Sequence, residues 1–173
     1  MVGHGLETCT RVPKVIKFGS PQRKNIDFAF VDTPAFNYNA KTDLEVLQTD
    51  AKRLGAFFGG KVKLAGILYF HRIPDYPTNE VRSDLTVFRE LCKKQLLDKQ
   101  SIDPLKQLEK DAYKNVIFVT TMWDQVDEER GSLFEKELMS KHWKRMIDLG
   151  ATAARFDGSS AAAWNIIERC INV

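Results

Sequence analysis

The sequence predicts an α/β fold, a mostly parallel sheet with helices layered against it. Segments 26–32, 62–70 and 115–120 are near-continuous apolar runs, the pattern of strands covered on both faces. Helical stretches opened by capping signals and stopped by glycine alternate with them. Strands that alternate with helices build layered α/β architectures.

The elements are taken in chain order. A strand over Val12–Phe18 and another over Ile26–Asp32 flank a polar turn at 17–24, which makes them antiparallel neighbours. Thr42 and Glu45 form a capping box, Leu44, Leu47, Ala51, Leu54 and Phe58 recur at helical spacing, and Gly59-Gly60 ends that helix. A long strand over Val62–Phe70 is expected to be central. Val81, Leu85, Phe88, Cys92 and Leu96 then make a second helical stripe. Residues 93–114 read as a polar surface excursion broken by Pro104, with Asp103 capping a short helix. After the strand Asn115–Thr120, the pair Ser132 and Glu135 predicts a helix from 132 to Leu149, ended by Gly150. A weak strand, Ala151–Phe156, precedes a helix over Ser160–Ile171 that buries Trp164, Ile167 and Ile171. With no repeat and no linker, residues 1–173 read as one domain.

Composition narrows the function classes. A chain of 173 residues can bury roughly 70% of its unfolded surface. A formal charge of +3 is too mild for a nucleic-acid footprint. No run of 18 apolar residues marks a membrane span. The three cysteines, Cys9, Cys92 and Cys170, are widely spaced and odd in number, which predicts reduced thiols and a cytoplasmic protein. His4, His71 and His142 are scattered, so a zinc site is not expected.

Four places carry candidate chemistry. The run 26–32 ends in Asp32-Thr33-Pro34-Ala35. In phosphoryl-transfer enzymes of the P-loop type, an aspartate ending such a strand holds magnesium through water. Thr33 and Ala35 of the same turn are candidate nucleotide contacts, Ala35 through its backbone N–H. The alternative is a turn that merely ends a strand. Upstream, Thr10 or its competitor Thr8 lies in a glycine-containing arm, where a threonine can ligate magnesium and sense a terminal phosphate. After the strand 115–120, Thr121-Met122-Trp123-Asp124 offers an acidic reader of a nucleobase, with Thr121 beside it. A helix cap or a solvated residue is the alternative for Asp124. Finally, His71 and Arg72 follow the strand 62–70, where polar side chains at a carboxyl edge meet a phosphate or a partner protomer. Capping and a salt bridge are the alternative there. No catalytic residue emerges from these patterns.

In sequence order, Val2-Gly3-His4-Gly5-Leu6 with Cys9-Thr10, then Phe30-Val31-Asp32-Thr33-Pro34, then the run 62–73, then Val119-Thr120-Thr121-Met122-Trp123, resemble the G-domain proteins abundant in mushroom-forming fungi. These are similar to septin, immune-associated and chloroplast-import-receptor GTPases, within the P-loop NTPase superfamily. The resemblance covers roughly residues 2–171. It implies a three-layer Ras-like fold with GTP and Mg as ligands, Thr10 and Asp32 near the metal, and Asp124 near the base. It also makes Arg72, in the segment Phe70-His71-Arg72-Ile73, a candidate for a dimer contact, and implies GTP hydrolysis as the activity.

The chain departs from that pattern in three ways: no Gly-x-x-x-x-Gly-Lys-Ser/Thr loop occurs, Ala35 stands for a glycine, and Thr121-Met122 stand for Asn-Lys. The expected fold therefore lacks its first strand, Walker A loop and first helix. Such a loop supplies backbone N–H groups and a lysine to the phosphates. At roughly 1.5–3 kcal/mol per charge-assisted bond, losing several removes on the order of 5–8 kcal/mol after discounting. That moves a micromolar site beyond millimolar. Two functions compete: a G-domain protein with weak or no nucleotide binding of its own, or a non-catalytic protein-interaction module on the same scaffold. Two apolar strands deprived of a shared neighbour further predict a homodimer or a partner protein.

Overall fold

A computed structural model describes residues 14–19, 27–33, 65–75 and 113–171. The expected elements at 42–58 and 81–112 lie outside them, as do Thr8, Thr10 and Ala35. The chain divides into two compact units, Met1–Val62 and Lys63–Val173.

In the first unit, β1 (Lys14–Gly19) pairs antiparallel with β2 (Asp27–Asp32), as the turn between them predicted. Ile16 lies opposite Phe30 and Phe18 opposite Phe28, so the period of two gathers these four residues on one face. The Phe18 ring stacks on Phe28 at 5.5 Å and diagonally on Phe30 at 5.1 Å. Such cross-strand pairs are what stabilises a two-stranded ribbon. Lys14 opposite Asp32 adds opposite charges at its open end.

The second unit is a mixed α/β body built on a three-stranded parallel sheet of order β3-β4-β5. Its strands are β3 (Ile67–Arg72), β4 (Val116–Thr121) and β5 (Thr152–Arg155). Among the described residues the middle strand is β4 rather than the run expected to be central, β3 lies to one side of it, and the pairing of β3 begins at Ile67. Residues Val116 to Thr120 are all buried. One face of β4, Ile117 and Val119, packs with Ile166, Leu68, Ala154, Phe156 and Cys170. On the other, Phe118 stacks on Trp143 at 4.5 Å and meets Tyr69 edge-on at 5.6 Å.

Helix α1 (Glu128–Glu137) does not begin at the Ser132 capping box. Asp127 caps it instead, its carboxylate accepting from the Arg130 N–H at 2.8 Å, with Glu128 and Glu129 in the first turn. Ser132, already inside the helix, donates to Glu128. Three acidic residues at the start complement the N-terminal orphan N–H groups, and that outweighs the serine. Asp127→Ala is expected to cost about 1 kcal/mol, measured as a lowered midpoint in thermal or urea unfolding.

After α1 the chain makes a π turn, Leu138–His142, then the short helix α2 (Lys144–Asp148). The π turn carries Trp143 into the core, where its N–H donates to Leu138 O at 2.7 Å. Gly150, at φ 104°, ends α2 as expected. Its N–H donates to Ile147 O and the Ala151 N–H to Met146 O, a Schellman closure that a side chain at this φ would strain. The last helix, α3 (Ser160–Ile171), buries Ile166 against the sheet rather than Trp164 and Ile167, which are half-buried. Ile166 and Cys170, four residues apart, define the inward stripe. Among the described residues, no helix is long and apolar enough to cross a membrane.

Candidate functional site at the carboxyl ends of the strands

In a parallel sheet every strand ends at the same edge, and there the loops collect the side chains that meet ligands. In the second unit this edge holds Arg72 to Asp75 from the last residue of β3, Thr121 to Asp124 from the last residue of β4, and Phe156 to Ser159 after β5. The Phe156 N–H donates to Thr120 O at 2.9 Å and the Ile73 N–H to Thr121 O at 2.9 Å, so the three chain ends stay laced together.

Immediately past β4 the backbone turns sharply. Met122 has φ 61° and ψ 39°, a left-handed conformation that costs a residue with a Cβ about 1–2 kcal/mol. One 3₁₀ turn, Trp123–Gln125, comes next and is closed by the Gln125 N–H donating to Met122 O at 3.1 Å. Asp124 is exposed on this turn, as is Met122, while Thr121 is half-buried. The Thr121 hydroxyl lies 3.4 Å from His71 O, its acceptor on the neighbouring strand.

Trp123 is tied down on several sides. Its Nε1–H reaches Thr120 Oγ1 at 3.2 Å and Thr120 O at 3.3 Å. Thr120 Oγ1 in turn donates to Glu135 Oε1 at 3.1 Å. Arg155, the last residue of β5, lays its guanidinium over the Trp123 ring, Cζ 3.9 Å from the centroid. It also donates through Nε to Glu135 Oε2 at 2.9 Å, through Nη1 to Glu128 Oε1 at 2.7 Å and through Nη2 to Ser132 Oγ at 3.1 Å. The bond from Arg155 holds the Glu128 carboxyl below its ordinary range. Gly131 of α1 lies so close to Trp123 that an added Cβ would sit 2.9 Å from Cζ3. Sequence reasoning missed Arg155, Glu135 and Gly131. Arg155 closes a weak four-residue strand, and nothing local links it to a tryptophan 32 positions earlier.

Of the remaining expected site residues, Arg72 is exposed at the end of β3, 3.8 Å from Asp75, the ordinary salt bridge weighed as its alternative. His71 is within β3, not beyond it, and only 7% exposed. Its imidazole meets Trp143 edge-on at 5.9 Å, turned into the protein rather than toward the carboxyl-edge crevice. Asp32 and Thr33 are exposed at the end of β2, in the first unit. Magnesium keeps several waters and takes one or two carboxylates beside phosphate oxygens. An exposed strand-end carboxylate such as Asp32 is therefore chemically suited to it. Among the described residues, no three His, Cys, Asp or Glu side chains converge as a metal cage.

Burial holds the His71 pKa below its ordinary 6.5, against a hydrogen bond to the backbone of Asp75 and the Asp75 charge, with His142 adding to the lowering. Below pH 6.5 the unfolded chain therefore binds a proton that the folded chain resists. Stability contributed by neutral His71 is complete above that value and lost as pH falls, with a slope of up to about 1.4 kcal/mol per pH unit. Urea unfolding across this window should show the slope in the native chain and a flatter one in His71→Phe.

No family model, curated protein or solved structure matches this chain.

Proposed function

We propose that the chain is a guanine-nucleotide-binding (G) domain protein of the P-loop superfamily, with a three-layer Ras-like fold and a cytoplasmic location. In this reading Asp124 accepts the N1–H and N2–H of guanine and Thr121 flanks the base. Asp32 and Thr10 serve Mg, with Thr33 and Ala35 beside the phosphates. The observation that supports it most is the exposed Asp124, held on a fixed, strained turn at the carboxyl end of the middle parallel strand. Backbone strain of this kind persists where surrounding contacts over-determine it, and such places cluster at binding sites. Because the sequence has no glycine-lysine phosphate loop, affinity for free nucleotide is expected to be millimolar or weaker, and hydrolysis negligible.

The test is an NMR titration of the ¹⁵N-labelled chain with Mg·GTP and, separately, Mg·ATP at millimolar concentrations. The Met122 to Asp124 amides should move progressively with GTP and much less with ATP. Equal responses, or none, would reject guanine recognition.

The second reading is a protein-interaction module that has kept the scaffold without the chemistry. Phe70, on β3, is 60% exposed beside the Arg72–Asp75 corner, which favours a protein surface there. Light scattering on the native chain and on Arg72→Glu decides it: an unchanged mass in both, at the monomer value, removes self-association through this corner.

A further inference from the structure

We infer that Arg155 is a positioning residue for the Met122–Asp124 turn, acting through the Trp123 indole. A closed circuit of four side chains carries the effect. Trp123 donates to Thr120, Thr120 donates to Glu135, Glu135 accepts from Arg155, and Arg155 covers the Trp123 ring. The circuit joins the end of β4, the body of α1 and the end of β5 through side chains, in addition to the backbone pairing of the two strands.

The turn needs such an anchor. Met122 sits in a left-handed conformation with a full side chain, and its carbonyl accepts the Gln125 N–H that closes the 3₁₀ turn after it. Local preference would relax that geometry. Trp123, between Met122 and Asp124, is the residue through which the rest of the unit can hold it. Thr120 fixes the indole by its nitrogen, and Gly131 admits α1 to van der Waals distance of the ring. The Arg155 guanidinium covers the ring face.

Arg155 is itself over-determined. Two carboxylates, Glu135 and Glu128, and the Ser132 hydroxyl orient its planar group. Exposed ion pairs taken singly contribute little. This one differs because each guanidinium nitrogen has an acceptor and the plane is stacked on the indole, the geometry in which arginine cannot be replaced by lysine without loss. The consequence for a ligand rests on the guanine reading of Asp124 above; the positioning of the turn does not.

The experiment uses the full ¹⁵N-labelled chain, tracking the three tryptophan indole N–H resonances and the Met122 and Asp124 amides. The indole signals are assigned with Trp123→Phe. In Arg155→Met the Trp123 indole and both amides should shift together, while the Trp143 and Trp164 indoles stay in place. Arg155→Lys, which keeps the charge but not the fork, should fall between. Gly131→Ala pushes the same ring from α1 and should move the same amides, which keeps the inference testable if Arg155→Met does not fold. A shifted Trp123 indole with unmoved Met122 and Asp124 amides would overturn it, and so would no shift at all. With Mg·GTP, Arg155→Met should need about tenfold more nucleotide for the same response. If the native chain shows no GTP response, guanine recognition fails while the indole and amide signals still decide the positioning role. If native and Arg155→Met chains bind GTP alike although the Asp124 amide has moved, Arg155 does not position the ligand contact.

Discussion

Trp143→Ala is expected to lower the stability of the second unit by about 3–5 kcal/mol. The residue is fully buried and among the largest side chains in the core. Its ring lies nearly parallel to Phe118, 10° between planes, and receives the edge of His71. Removing it empties the layer between β4 and the helices, and neither a strand nor a helix anchored at both ends can collapse to fill that space. Backbone bonds would be left intact, because the Trp143 carbonyl accepts from Met146 and Ile147 whatever the side chain. The indole Nε1 has no hydrogen-bond partner among the described residues. Trp143→Phe should therefore lose area but no polar contact, and cost about 1–2 kcal/mol. Urea denaturation of both variants is the measurement. Since whole domains hold only about 5–15 kcal/mol, the alanine variant should melt near ambient temperature or populate the unfolded state. A loss under about 1 kcal/mol would mean that Trp143 does not join sheet to helices.

The same residue shows where sequence reading stops. The run Val116 to Thr120 was legible because a strand buried on both faces must be apolar throughout, and the Gly150 stop because only glycine adopts its φ at no cost. The antiparallel β1–β2 pair was legible from a polar turn between two short extended runs. The helix start was misplaced at Ser132 because Ser-x-x-Glu occurs inside helices as well as at their ends, and the cap at Asp127 carries no glutamate three residues on. The π turn that brings Trp143 inward leaves no trace in a 3.6-residue period. It also shifts the helical phase of Lys144–Asp148 relative to α1. The stripe expected on α3, Trp164, Ile167 and Ile171, missed Ile166, which packs with Ile117 and Val119 of β4, because the buried face is set by what the sheet can accept. At the candidate site, the position of Asp124 just past a buried strand was legible from the apolar run before it. The circuit through Arg155 was not, since it joins residues 20 and 32 positions apart with no local pattern. His71 read as an edge residue because the strand was ended two residues early.

Asp124→Asn should invert base preference if Asp124 reads guanine. An aspartate offers two acceptors, matching the paired N1–H and N2–H donors of guanine. Asparagine offers one acceptor and one donor, so its amide N–H would face a guanine N–H. Xanthine, with a carbonyl where guanine has its amine, restores the match. Each charge-assisted bond is worth roughly 1.5–3 kcal/mol, so the response to Mg·GTP should weaken by about 10²-fold, and Mg·XTP should become the better ligand. The exchange is isosteric at an exposed position, and it should leave the melting transition within about 0.5 kcal/mol of the native chain. That separation matters: it lets a change in ligand response be assigned to the carboxylate and not to a disturbed turn, which the unshifted Trp123 indole would independently report. Titrating native and Asp124→Asn chains with both nucleotides, and comparing the Met122 and Asp124 amides, gives the four responses needed. A native chain that prefers neither base, or a variant that keeps the native preference, would leave Asp124 as a solvated residue of the 3₁₀ turn and would move the weight to the Arg72–Asp75 surface.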